Sequence, residues 1–223
     1  MKFFIRRRTF LKLTATVVLL LAGISALAYF IWYKPKFSTT APKIAFKPKK
    51  DETSKTALVR LKQKAADITA YAAAHEYNSQ YCFMIDMKIE SGKKRFFVYN
   101  LKKDSIELSG LVTHGSGKTN TDSIQFSNAA NSLCTSLGKY KIGNSYTGKF
   151  GLAFKLYGLD NTNSKAFDRC VVLHSHSCVP NAETAPFPIC ESWGCPTVAP
   201  AFLTQLKTYI EKAEQPILLT IYY

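Results

Sequence analysis

Acidic residues are scarce in this chain. Fifteen Asp and Glu stand against thirty Lys and Arg in 223 residues, and the formal charge is +15. The first 33 residues hold five of the bases and no acid, so the remainder keeps +10. Such a surplus suits a lysine-rich solvated surface or an anionic partner. No nucleic-acid-binding motif accompanies it, so no nucleic-acid partner is expected. Internal repeats, a βαβ rhythm, and CxxC or HExxH spacings are also missing. These absences argue against a repeat array, a parallel α/β domain and the common zinc sites. No metal or cofactor is expected. Removing an N-terminal targeting segment and a linker leaves roughly 170 residues, enough for one domain with its own core.

The N-terminus suggests export. Arg6, Arg7 and Arg8 precede an apolar run from Leu13 to Tyr33. That run is about the length needed to span a bilayer. The arginines would stay on the cytoplasmic side. "RRTFLK" (Arg7–Lys12) also resembles a twin-arginine export signal. "ALA" at Ala26–Ala28 offers a cleavage site. Residues 1–33 therefore read as a signal peptide or an uncleaved membrane anchor. Residues 34–53, rich in Lys, Pro and Thr, read as a tethering linker.

Beyond it, residues 54–77 show helical spacing through Leu58, Leu61, Ala65, Ile68 and Tyr71–Ala72, with Thr53 or Ser54 as cap. His75 falls on its surface. From residue 78 the pattern turns to strands. "YCFMIDMKI" and "RFFVYNL" flank a hairpin signal, and "SIELSGLVTHGSG", "KFGLAFKLYGL" and "RCVVLHS" follow. Leu203–Ala213 reads as a helix and "PILLTIYY" as a closing strand. The expected fold is mostly β with flanking helices, one domain over 78–223.

Six cysteines in an exported chain raise disulfides first. Cys178 and Cys190 bracket a proline-rich excursion and form a candidate pair. Cys195 differs, lying between Gly194 and Pro196 in "ESWGCPTV". Glycine permits a special turn or close approach, and Pro196 suits the first turn of a helix. A cysteine at a helix start would have a lowered pKa and nearby N–H groups to hold an oxyanion. A thiol nucleophile needs an imidazole within reach. "LHSHSC" offers His174 or, on the same strand face, His176. His174, His176 and Cys178 could instead be read as zinc ligands, although no known metal spacing supports that reading.

Four segments together resemble the YkuD-type L,D-transpeptidase catalytic domain, in its murein L,D-transpeptidase branch. They are "GLVTHGSG" (Gly110–Gly117), Phe126–Asp160, "RCVVLHS" (Arg169–Ser175) and "SWGCPTV" (Ser192–Val198). The resemblance implies a β-rich fold, a periplasmic or cell-envelope location and peptidoglycan stem peptides as substrate. It implies Cys195 as nucleophile and His174 as base. Ser192, Trp193, Gly194 and Ser175 take the supporting and oxyanion positions, with His176 as the alternative base. Trp193 stands where many relatives carry His, and Ser175 where this branch often has Gly. His114, Asn128 and Tyr146 fall near the implied cleft, with Ser127 beside Asn128; turn chemistry is the plainer reading for each. The implied reaction passes through a Cys thioester to a 3-3 crosslink. An L,D-carboxypeptidase or endopeptidase using water shares that thioester. A non-catalytic wall-binding domain would be expected had Cys195 or His174 been lost. A monomer is expected.

Overall fold

The computed structural model describes residues 16, 18–29, 31, 52–118 and 123–223, with only the backbone of 52–54. The export signature at 6–12 and nearly all of the linker lie outside these residues. Within the apolar run, residues 18–28 are helical. Among the described residues no helix is long and apolar enough to cross a membrane. Residues 51–223 form one compact unit, and residues 1–50 another.

The larger unit is built on one eight-stranded sheet. Its elements are α1 (Glu52–Ala74), β1 (Tyr81–Asp86), β2 (Phe96–Asn100), β3 (Ser105–Gly110), β4 (Gly138–Gly148), β5 (Gly151–Gly158), β6 (Val172–Ser175), β7 (Thr197–Val198), α2 (Pro200–Lys212) and β8 (Leu218–Tyr222). The strand order is β3-β2-β1-β8-β4-β5-β6-β7. Neighbours are antiparallel except β1–β8 and β6–β7.

The sheet buries both faces because a helix covers each. Alternate residues of a strand face opposite sides. Phe83 and Ile85 of β1, with Leu219 and Ile221 of β8, join the main core against Phe202, Leu203 and Leu206 of α2. Cys82 and Met84, with Leu218, pack on the other face against Leu61, Ala65, Ile68 and Ala72 of α1. Hence β1 reads as a continuous apolar run rather than an alternating one. The helical stripe recognised in the sequence is this docking face, except Leu58, which is exposed. Helix α1 begins at Glu52, so Thr53 and Ser54 lie inside it rather than at a cap.

The sheet also curls onto itself. β3 and β7 end the strand order on opposite sides, yet Val112, just past β3, bridges Val198 of β7. Thr113 N–H donates to Thr197 O, and Gly115 pairs with Ser192. The crossing segment pairs groups that an edge strand would leave open. It also brings residues 110–117 against the segment carrying Cys195.

Candidate functional site

The turn around Cys195 is held by its neighbours' polar groups. Ser192 Oγ lies 2.7 Å from Cys195 O and 3.1 Å from His114 O, and accepts the Gly194 N–H at 3.2 Å. Thr113 Oγ1 donates to Cys195 O at 3.2 Å and accepts the Thr197 N–H. Gly194 has φ +110°, and a Cβ there would sit 2.6 Å from Cys134 O. Both a special turn and a close approach therefore require this glycine.

The expected helix start at Pro196 is not there. Thr197–Val198 forms β7, and α2 begins at Pro200, so Cys195 precedes the helix by five residues. A proline suits the first helical turn, and Pro200 occupies it. The helix dipole falls off within its first turn and does not act on the thiol. Burial instead pushes the Cys195 thiol up, opposed by the Val172 backbone N–H and the Arg169 charge, while Cys170 adds to the rise. Its Sγ contacts Cys170 O at 3.7 Å.

Parallel pairing of β6 with β7 places His174 opposite Thr197, two residues from Cys195. His174 Nδ1 lies 3.1 Å from Ser175 O, and its Nε2 lies 3.0 Å from Thr197 Oγ1. A carbonyl can only accept, so Nδ1 carries the proton and Nε2 accepts from the Thr197 hydroxyl. Ser175 thus orients the ring through its backbone, not its hydroxyl. Phe150, from the β4–β5 turn, stacks on this ring at 5.1 Å. Burial, the dominant cause, lowers the His174 pKa, and His176 adds to the effect. The structure brings His174 and Cys195 to one edge of the sheet, but it places Thr197, not the thiol, on the imidazole.

The other expected residues scatter around this edge. His176 meets Phe150 edge-on, and its Nδ1 accepts the Cys178 N–H. A disulfide joins Cys178 to Cys190, so Cys178 is no metal ligand. Among the described residues no cluster of His, Cys, Asp or Glu could hold a metal. Trp193 is 79% exposed. Tyr146 sits on the β4–β5 hairpin, partly exposed, with the Lys155 ammonium over its ring. Asn128 ties the loop to Asn161, Ser164 and Lys165, a structural role. His114 lies inside, its Nδ1 accepting from the buried Arg95 and its Nε2 3.5 Å from Glu191. It borders a cavity of about 390 Å³ that also touches Gly115, Ser116 and Phe187.

Arg169 is the main residue missed by sequence reasoning. Its guanidinium donates to Ser127 O, Ser132 Oγ, Cys134 O and Ser136 Oγ, stapling the 127–136 loop beneath Gly194. It lies three residues before β6, the strand that carries His174. Only that position inside a motif could have flagged it. Thr197, inside "GCPTV", was overlooked for the same reason.

A family model described as the L,D-transpeptidase catalytic domain matches residues 52–221. The chain belongs to this L,D-transpeptidase family. The family match takes in α1 as well as the strands and the Cys195 segment. No curated protein matches the chain significantly. Solved structures similar to it include an L,D-transpeptidase from Xylanimonas cellulosilytica, with 14% identity, TM-score 0.38, and coverage of 65% of this chain and 61% of that one. The helical cell shape determining protein Pgp2 from Campylobacter jejuni matches at 13% identity, TM-score 0.41, with coverage of 65% and 49%. An L,D-transpeptidase from Enterococcus faecium matches at 11% identity, TM-score 0.39, with coverage of 64% and 50%. The chain spans about half to three-fifths of the length of these proteins.

Proposed function

We propose that the protein is an exported cysteine-dependent L,D-transpeptidase acting on peptidoglycan stem peptides. The observation that carries this reading is that β6–β7 pairing sets His174 opposite Thr197, two residues from the partly exposed thiol of Cys195, on a turn ordered by Ser192 and Gly194. Family membership supports the substrate class. Export, through the N-terminal segment as anchor or cleaved signal, belongs to the same proposal.

Burial disfavours charge on both groups, so the pair rests as thiol and neutral imidazole. His174 Nε2, the ring nitrogen with a lone pair, takes the thiol proton as sulfur attacks, after Thr197 yields its hydrogen bond. The attacked carbonyl belongs to the third stem residue, on its L-centre side. Backbone N–H groups near Trp193–Cys195 hold the oxyanion, with the Gly194 N–H itself engaged by Ser192 Oγ. Such placement contributes roughly 3–4 kcal/mol to rate enhancement. His174 then protonates the departing D-alanine and leaves a thioester. An amine of a second stem attacks that thioester to form a 3-3 crosslink, and the Cys195 thiol is regenerated. The decisive experiment is intact-protein mass spectrometry after mixing with a carbapenem, a β-lactam that opens on a nucleophilic thiol. One adduct is expected, and none on Cys195→Ala. An adduct retained by the alanine variant would sink the assignment. Product analysis with a tetrapeptide stem separates crosslinking from hydrolysis to the tripeptide.

A further inference from the structure

A cleft of about 580 Å³ opens at the far end of α2 from Cys195. It forms where the α1–β1 loop, the start of β1, the β2–β3 turn and the last turn of α2 meet. Tyr77, Tyr81 and Tyr209 line it, with Gln80, Lys102 and Lys212 around them. Helix α2 has 13 residues, about 20 Å at its standard rise. The thiol precedes its N-terminus, so the cleft is a separate site.

Its chemistry is mixed in a particular way. The three tyrosines are half-buried, so each offers ring surface to the cleft. Tyr81 and Tyr209 meet edge to face at 5.0 Å. Tyr209 donates its hydroxyl to Glu107 and Tyr81 accepts from Gln80, which hold the rings in place. Asn78 Oδ1 accepts the Gln80 and Tyr81 N–H groups, which turns its amide NH₂ away from them as a donor. Aromatic faces beside amide donors match a ligand with C–H faces and acceptor oxygens. Two lysines against Glu214, with no arginine in the lining, suit a neutral or weakly anionic polymer better than a polyphosphate.

We infer that this cleft binds the glycan strand of the wall, with N-acetylated sugar rings seated on Tyr77, Tyr81 and Tyr209. The inference rests on the proposed action on peptidoglycan and adds a second contact, to the polysaccharide rather than the peptide. The two sites, at opposite ends of one helix, would hold the enzyme on its polymer while the thiol samples stems.

The test is calorimetric titration of the full chain, in detergent micelles, with a peptide-free tetramer of N-acetylglucosamine. Binding is expected in the wild type. It should weaken at least tenfold in Gln80→Ala/Lys212→Ala, whose positions are exposed and tolerate change, and in Tyr209→Ala. Tyr209→Phe, which keeps the ring, should retain it. Equal binding by the alanine variants overturns the inference. So does a wild-type sample that binds no tetramer yet forms the carbapenem adduct, an outcome that leaves the catalytic reading intact. Tetramer binding lost in the variants, with no adduct on the wild-type thiol, upholds the cleft and removes the transpeptidase reading. Preference for an oligonucleotide over the tetramer also overturns it.

Discussion

At Cys195, burial and charge pull in opposite directions. Burial raises the thiol pKa, whereas the Val172 N–H and the Arg169 charge lower it. Arg169 bonds only neutral oxygens, and among the described residues it forms no ion pair. Its positive charge is therefore not cancelled by a bonded carboxylate. Arg169→Gln should move the pH midpoint of Cys195 alkylation upward and slow alkylation at neutral pH, since less thiolate is present. Arg169→Lys, which keeps the charge, should shift it less. An unchanged midpoint in the Gln variant would show that the arginine only staples the loop. Cys195 and His174 stand out in the sequence as candidates because motif and chemistry coincide at them. Arg169 and Thr197 do not, because their roles come from what they face across strands.

Among the elements, the Ser192–Cys195 turn is the most constrained. A side chain at Gly194 meets both a φ of +110° and the Cys134 carbonyl at 2.6 Å. Gly194→Ala should cost about 2 kcal/mol or more, read as a lower urea midpoint. A stability equal to wild type would mean that the turn relaxes freely. The loop from Cys178 to Cys190 spans twelve residues, and its disulfide closes a short loop. Cys178→Ser/Cys190→Ser should lose roughly 2–3 kcal/mol by the same measurement. Strands β1, β2, β5 and β8 were legible as apolar runs. β4 was not read as a strand, because "GKYKIGNSYTG" is largely polar and glycine-rich, and β5 and β8 flank its first half to complete it. The helix after Cys195 was placed too early because two prolines, Pro196 and Pro200, both satisfy the local rule. The pairing of Thr197 with His174 decides between them.

For the molecule as a whole, acid should be destabilising. His114 is pushed down to about 4 by burial first and then by the Arg95 charge. Arg95 is itself fully buried and lowered to about 10 by that burial. Glu191 lies 3.5 Å from His114 but is half exposed, so solvent weakens its opposing pull. An unfolded chain binds a proton at histidine near pH 6.5, whereas folded His114 resists until about 4. Between these values the unfolded state holds more protons, so stability falls as pH falls. His174, also lowered, adds in the same direction. Urea unfolding from pH 7 to 4.5 should show this decline, and His114→Gln should flatten it. An unaltered slope would place the cause elsewhere. Under the proposed function the +10 carried beyond residue 33 would draw the protein to a polyanionic wall, and raising salt should weaken retention on purified sacculi.

The sequence by itself determined most of the element types, the family, and the choice of Cys195 and His174 as candidates, because apolar periodicity, turn residues and a spaced motif are local properties. Only the tertiary structure decided that residues 110–117 cross to β7, that Thr197 and Phe150 frame the imidazole, and that Arg169 underlies the thiol turn. Those contacts join residues from 23 to more than 80 positions apart. No local pattern encodes them; the curl of the sheet and the burial of both its faces do.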